Sequence, residues 1–147
     1  MKVIFETSQL SEPQVIIKGE FGDPQVESLM EFIKSMNSNV AKKLLLYKED
    51  EQFPIDIYDI VYIEVVDSRV EVVTPTDRYD SKKKLYELNE MLSNTSFVQI
   101  NKGTLVNIDY VKSVSAEFSG NYTVRLKNSK EILTISRKYF KEFKSKI

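Results

Sequence analysis

In the stretch FVQINKGTLVNIDYVKSV, Phe97 to Val114, the apolar residues Phe97, Val98, Ile100, Leu105, Val106 and Ile108 flank a polar insert, Asn101-Lys102-Gly103-Thr104. A second polar cluster, Ser136-Arg137-Lys138-Tyr139, follows directly on the apolar run EILTI, and a third, Asp67-Ser68-Arg69, divides YIEVV from VEVV. The chemistry these side chains share is hydrogen bonding to planar polar edges and to anions. Arg or Lys can bridge O6 and N7 of guanine, Asn can pair with adenine, and Lys, Ser, Thr and Tyr can hold phosphate oxygens. A good bidentate contact of this kind discriminates by about 1–3 kcal/mol. The spacing of Lys102 and Arg137 is not a specific signal by itself: each also reads as a solvated surface charge, and Tyr139 also reads as core. Asn107, at the end of an apolar run, reads as structural, its amide tying a strand end to neighbouring backbone.

Such clusters can read anything only if a rigid frame presents them, and the hydrophobic pattern outlines that frame. The stretch KKLLLYKEDEQFPIDIYDIVYIEVVDSRVEVVTPTDRYDS is a series of short runs rich in Ile, Val and Tyr, punctuated by Glu49-Asp50-Glu51, Pro54, Asp67-Ser68-Arg69 and Pro75. KKLYELNEMLSN predicts one short helix with Leu85, Leu88, Met91 and Leu92 on one face, Ser81 as its N-cap and Asn94 at its end. Strand texture resumes in TLVNI, VKSVSAEFS, YTVRL and ILTIS, with Lys127-Asn128-Ser129-Lys130 as a hairpin turn and a basic helical tail, RKYFKEFKSKI. Ahead of all this, residues 1 to about 40 read as a small α/β segment. Its strands would be KVIFE and QVIIKG, and its helix would open at Asp23-Pro24, an N-cap and N1 pair. Val26, Leu29, Met30, Ile33 and Met36 form one helical stripe, read first as core packing and second as a dimer contact. The polar stretch SMNSN, Ser35 to Asn39, marks the junction, dividing the chain into 1–41 and 42–147. The expected fold is mainly β with short helices, a sandwich- or barrel-type domain preceded by the small α/β segment.

Composition narrows the chemistry. The chain has neither cysteine nor histidine, which removes disulfides, thiolate metal sites and a cysteine nucleophile, together with the commonest general base and metal ligand. Ser81-Lys82-Lys83-Lys84 matches an S-x-x-K pattern without the other elements of an acyl-enzyme site. Gly19 and Gly22 lack the ending of a phosphate-binding loop, and Glu49-Asp50-Glu51 lacks the spacing of a calcium loop. No catalytic constellation, metal site, cofactor site or small-molecule substrate is therefore expected. The first twenty residues include Glu6 and Glu12 and no long apolar run, so neither a signal peptide nor a membrane span is expected, and a cytoplasmic location is. The net charge of −1 conceals an asymmetry: Met1 to Asp80 carries 8 Lys and Arg against 16 Asp and Glu, Ser81 to Ile147 carries 13 against 6. A basic half of this size suits nucleic acid or an acidic partner, although charge runs are also ordinary solvated faces.

From about Lys42 to Ile147 the chain resembles the LytTR-type DNA-binding domain of bacterial transcription regulators. The resemblance rests on FVQINKGTLVNIDYVKSV, on LKNSKEILTISRKYFKEFKSKI with its Ser-Arg-x-Tyr ending, and on DIVYIEVVDSRVEVVT. It implies a ten-stranded β fold that inserts loops rather than a recognition helix into successive major grooves of double-stranded DNA, often at paired promoter repeats. By position it implies Lys102 and Arg137 as base readers, with the Asp67, Ser68 and Arg69 loop near a third reading position. Asn101, Thr104, Lys138 and Tyr139 would be supporting or phosphate contacts. Gln99 departs from a common arginine and Gly103 from a common serine, and the Asp67 to Arg69 loop is short, so the target need not follow a familiar consensus.

With about forty residues ahead of this region, the resemblance is closest to stand-alone members of the family, without a phosphoacceptor receiver. The acidic segment would then contact a regulatory membrane-protein partner, mediate a homodimer at least on DNA, or complete the fold. The competing expectation is a protein-interaction module whose basic half binds an acidic partner without DNA specificity.

Overall fold

The computed structural model describes residues 1–7, 9, 14–38 and 43–147, in two units, Met1–Val40 and Ala41–Ile147. The expected junction at Ser35 to Asn39 ends outside the described residues, as does the 41/42 boundary, and the side chain of Met36 also lies outside them.

In the first unit the regular element among the described residues is α1 (Pro24–Ser38). It starts where Asp23-Pro24 predicts: the Gln25 amide donates to Asp23 Oδ1 at 2.9 Å, and Pro24 spends no needed donor. The expected strands at Lys2–Glu6 and Gln14–Gly19 are absent. A strand exists only through a ladder with a neighbour, and apolar alternation cannot supply one locally. Core packing of the α1 stripe is only half realised: Val26, Leu29 and Ile33 are half-buried, and Met30 is 42% exposed. Gly19 has its own reason to be glycine, since a Cβ there would meet Val26 Cγ2 at 2.5 Å.

The second unit holds β1 (Lys43–Lys48), β2 (Glu51–Asp56), β3 (Tyr62–Val66), β4 (Arg69–Val73), β5 (Arg78–Ser81), α2 (Leu85–Met91), β6 (Phe97–Asn101), β7 (Thr104–Asn107), β8 (Val111–Ala116), β9 (Tyr122–Leu126), β10 (Ile132–Ile135) and α3 (Phe140–Ser145). Seven strands form one sheet in the order β2-β1-β5-β4-β3-β7-β6, and three form a second in the order β10-β9-β8. Every pairing is antiparallel. Neither sheet closes into a barrel. Pro54 falls on the edge strand β2, where its missing N–H breaks no inner ladder.

The period of two explains the layers. Ile63, Val72, Phe97 and Leu105 join Leu85, Leu88 and Leu92 in a core under α2, while their neighbours Tyr62, Val73, Val98 and Val106 enter a second core with Val124, Leu126, Leu133, Ile135 and Phe143. The large sheet is thus covered by α2 on one face and by the small sheet and α3 on the other. Strands buried on both faces place apolar residues at consecutive positions, as Phe97-Val98 in β6 and Leu105-Val106 in β7 do. Two helix details differ from expectation. The N-cap of α2 is Lys84, without a side-chain cap, and Ser81 ends β5, its Oγ accepting from the Lys83 amide at 3.0 Å. That short turn consumes the hydroxyl before the helix begins. Met91 is 45% exposed, because the buried stripe Leu85, Leu88, Leu92 is only one residue wide on so short a helix.

Asn107 behaves as its sequence context implies. It is 2% exposed; its Nδ2 donates to the Ile60 carbonyl at 2.9 Å, and its Oδ1 accepts from the Asp109 amide at 3.1 Å. Asn107→Ala strands the buried Ile60 carbonyl and frees the part-buried Asp109 amide, so a loss of about 1–3 kcal/mol is expected, read as a lower urea midpoint at unchanged slope.

Candidate nucleic-acid interface

The polar clusters meet at one end of the second unit because of strand register. β3 and β7 are antiparallel neighbours, with Ile63 opposite Leu105 and Glu64 opposite Thr104. The β3–β4 turn and the β6–β7 turn therefore emerge side by side, and the Val65 amide donates to the Gly103 carbonyl at 2.8 Å. In the first turn Asp67 and Ser68 have φ of 49° and 65°, the paired left-handed geometry that suits a two-residue hairpin.

The segment after β10 joins this end from the other sheet. The Ser136 amide donates to the Ile100 carbonyl at 2.8 Å, and Asn101 Nδ2 donates to the Thr134 carbonyl at 2.9 Å. Asn101 Oδ1 also accepts from the Gly103 amide at 2.9 Å. With both halves of its amide committed, Asn101 is a brace between Lys102 and Arg137, aimed by the irregular register between Gln99 and Asn101. Behind Arg137, the fully buried Phe143 seats α3 on the second core. Lys146 Nζ donates to the carbonyls of Ser93, Thr95 and Phe97 at 2.8, 3.1 and 2.6 Å. Burial pushes its pKa below the ordinary lysine value, against the opposite pull of Glu142.

Lys102, Arg137 and Lys138 are exposed, and among the described residues none has an acidic partner within ion-pair distance. Lys138 Nζ lies 5.5 Å from the Tyr139 ring centroid, while Tyr139 itself is half-buried against the second core. The remaining site candidates are differently placed. Thr104 is 7% exposed, largely covered within β7, which leaves little of its side chain open to a phosphate. Arg69 is at the right end but faces Asp80 at 3.6 Å and Glu71 at 4.0 Å. Asp67 and Ser68 are exposed at the tip.

One contributor was missed by sequence reading. The residues Glu117 to Ser119 read as strand, yet β8 stops at Ala116 and a turn brings Phe118, Gly120 and Asn121 to the same end. The Arg137 amide donates to Asn121 Oδ1 at 3.1 Å. The signal available was Ser119-Gly120-Asn121, an ordinary turn sequence.

At the other end of the same strands, charges are paired. Arg78 bonds to Glu131 and Tyr62 Oη, with Glu71 at 3.4 Å and Glu64 at 3.5 Å, beside a cavity of about 560 Å³. Burial, reinforced by a hydrogen bond to Glu131, pushes the Tyr62 hydroxyl above its ordinary range. The contrast is between Arg78, neutralised at this end, and Lys102, Arg137 and Lys138, without an acidic partner among the described residues at the other. No helix among the described residues is long and apolar enough to cross a membrane.

Comparisons with known proteins agree with this architecture. The chain is 30% identical over 102 residues to the sensory transduction protein LytT of Bacillus cereus, covering 69% of this chain and 41% of that protein. Against LytT of Bacillus subtilis it is 24% identical over 134 residues, covering 84% and 55%. The chain thus spans about half the length of these curated relatives, or less. An uncharacterized HTH-type transcriptional regulator of Staphylococcus aureus is 24% identical over 144 residues, covering 98% of this chain and 95% of the other. Among solved structures, the LytTr DNA-binding domain of a Bacillus cereus response regulator superposes with a TM-score of 0.66 at 21% identity, covering 71% of this chain and 96% of that one. The family profile of the LytTr DNA-binding domain matches residues 50–147, two thirds of the sequence, and the chain belongs to that family.

Proposed function

We propose that this protein is a sequence-specific transcription regulator whose second unit reads the major groove of double-stranded DNA with turns. The observation that carries the reading is the convergence of Lys102, Arg137 and Lys138, free of acidic partners among the described residues, on turns laced together by the Ser136–Ile100, Asn101–Thr134 and Val65–Gly103 hydrogen bonds. Turns fixed in this way keep their side chains aimed at little entropic cost on binding. The helices of this unit support the same reading: α2 and α3 have 7 and 6 residues and are separated by five strands, so they form no helix-turn-helix. Lys102 and Arg137 take the base-reading roles and Lys138 a phosphate role. Asp67 and Ser68 border the groove. Two copies on repeats one helical turn apart would place both interfaces on one face of the duplex.

Selection of bound duplexes from a random pool tests the reading directly. A shared motif, and affinity that falls steeply with salt, are expected. Equal retention of selected and shuffled duplexes would reject it and favour a module that binds acidic partners through the basic half. Within the proposal, Lys138→Ala should weaken selected and shuffled duplexes alike and reduce the slope of log affinity against log salt by about one. Titrations at several salt concentrations measure both.

A further inference from the structure

Phe118 is a fully exposed phenyl group, 114% by relative accessibility, on a turn that is anything but loose. The Glu117 amide donates to the Asn121 carbonyl at 2.9 Å and the Gly120 amide to the Glu117 carbonyl at 3.1 Å. Ser119 Oγ donates to Glu117 Oε2 at 3.2 Å and accepts from the Asn121 amide at 3.3 Å, while Thr123 donates to the other Glu117 oxygen. Gly120, at φ +89°, completes the reversal. A single exposed hydrophobic residue ordinarily needs no explanation. What distinguishes Phe118 is the company it is held in. Asn121 of this turn holds the Arg137 amide, and the stem of Arg137 lies over Gly120, where a Cβ would sit 3.3 Å from Cδ and 3.5 Å from Nη1. Phe118 and Arg137 thus belong to one knuckle, built from two strand ends and locked by hydrogen bonds.

We propose that Phe118 is a further specificity-determining residue, which packs on the C5-methyl of a thymine within one or two base pairs of the pair contacted by Arg137. The proposal rests on the DNA-reading assignment above. Its chemical basis is that a phenyl group offers no hydrogen bond, and the thymine methyl is the one apolar feature that the major groove displays. Bases follow one another at about 3.4 Å along a strand, so a side chain on the same turn reaches the next steps. The ring gains by leaving water, and the ordered turn loses little freedom in placing it.

The test uses the full chain and the duplex selected by the wild type, first mapping with Arg137→Ala the base pair on which that side chain depends. Each thymine within two base pairs is then replaced by uracil, which lacks only the methyl. Wild-type protein should bind one such uracil duplex about fourfold more weakly, the effect of one buried methyl. Phe118→Ala should bind the thymine and uracil duplexes equally, with an unchanged thermal melt because the ring is fully exposed. Discrimination that survives in Phe118→Ala, or a wild type indifferent to every methyl, would overturn the proposal while the selected motif still stood. Loss of DNA bending in Phe118→Ala without any methyl effect would also overturn it, in favour of a wedge between base pairs. Failure to select any motif would remove the DNA reading itself.

Discussion

Arg137→Ala will lower affinity for the selected duplex about 5- to 150-fold, corresponding to about 1–3 kcal/mol, and will flatten base preference at one position of the motif. The loss should be much smaller on shuffled duplexes, where the guanidinium makes only a phosphate-type contact. That asymmetry separates a reading role from a merely electrostatic one, because deletion of a positive charge alone weakens every duplex equally, as Lys138→Ala should. Arg137→Lys should recover the salt-dependent affinity and only part of the base preference, since an ammonium can bridge O6 and N7 of guanine but lacks the fixed planar fork of the guanidinium. The backbone around Arg137 is held independently of its side chain, by Asn121 Oδ1 and by the Ser136–Ile100 hydrogen bond. Truncation should therefore leave the fold and its melting temperature unchanged. Competitive binding on selected and shuffled duplexes measures the ratio, and equal losses on both would reject Arg137 as a reader.

The largest effect on stability is expected from Phe143→Ala, a loss of about 3–5 kcal/mol. Phe143 is 1% exposed in the core shared by β6, β7, the small sheet and α3, so truncation removes its burial and leaves a cavity that packed neighbours fill only in part. A domain of this size has about 5–15 kcal/mol in hand, so much of it would go. The consequence reaches the interface, because α3 begins three residues after Arg137. Urea unfolding gives the stability loss. DNA titration at low temperature, where the variant remains folded, should show a weaker but still sequence-dependent complex. A loss below about 1 kcal/mol would mean that α3 is not seated by this ring.

Much of the frame was legible in the sequence because its causes are local. Asp23-Pro24 announces α1, since capping and a fixed proline φ act within one turn. Lys127 to Lys130 reads as a hairpin turn, and the chain does reverse there, with Asn128 at φ 54°. Other signals misled for an equally physical reason. KVIFE and QVIIKG have strand texture and form no strand, because the neighbour a strand requires is a property of the whole fold. Thr104 sits in the polar insert and is nevertheless buried, because it lies within β7 and is covered with the rest of that strand.

By itself, then, the sequence determined the family, the mainly β character and which polar inserts between apolar runs carry cations, since residue type and short-range pattern set these. Tertiary structure alone decided that Lys102 and Arg137, thirty-five positions apart, share an end with Phe118, and that Arg69 turns to Asp80 and Glu71 instead. The physical reason is register. Which turns become neighbours follows from the pairing of β3 with β7 and from the hydrogen bonds joining Asn101 to Thr134 and Ser136 to Ile100, long-range contacts that no local run of residues encodes.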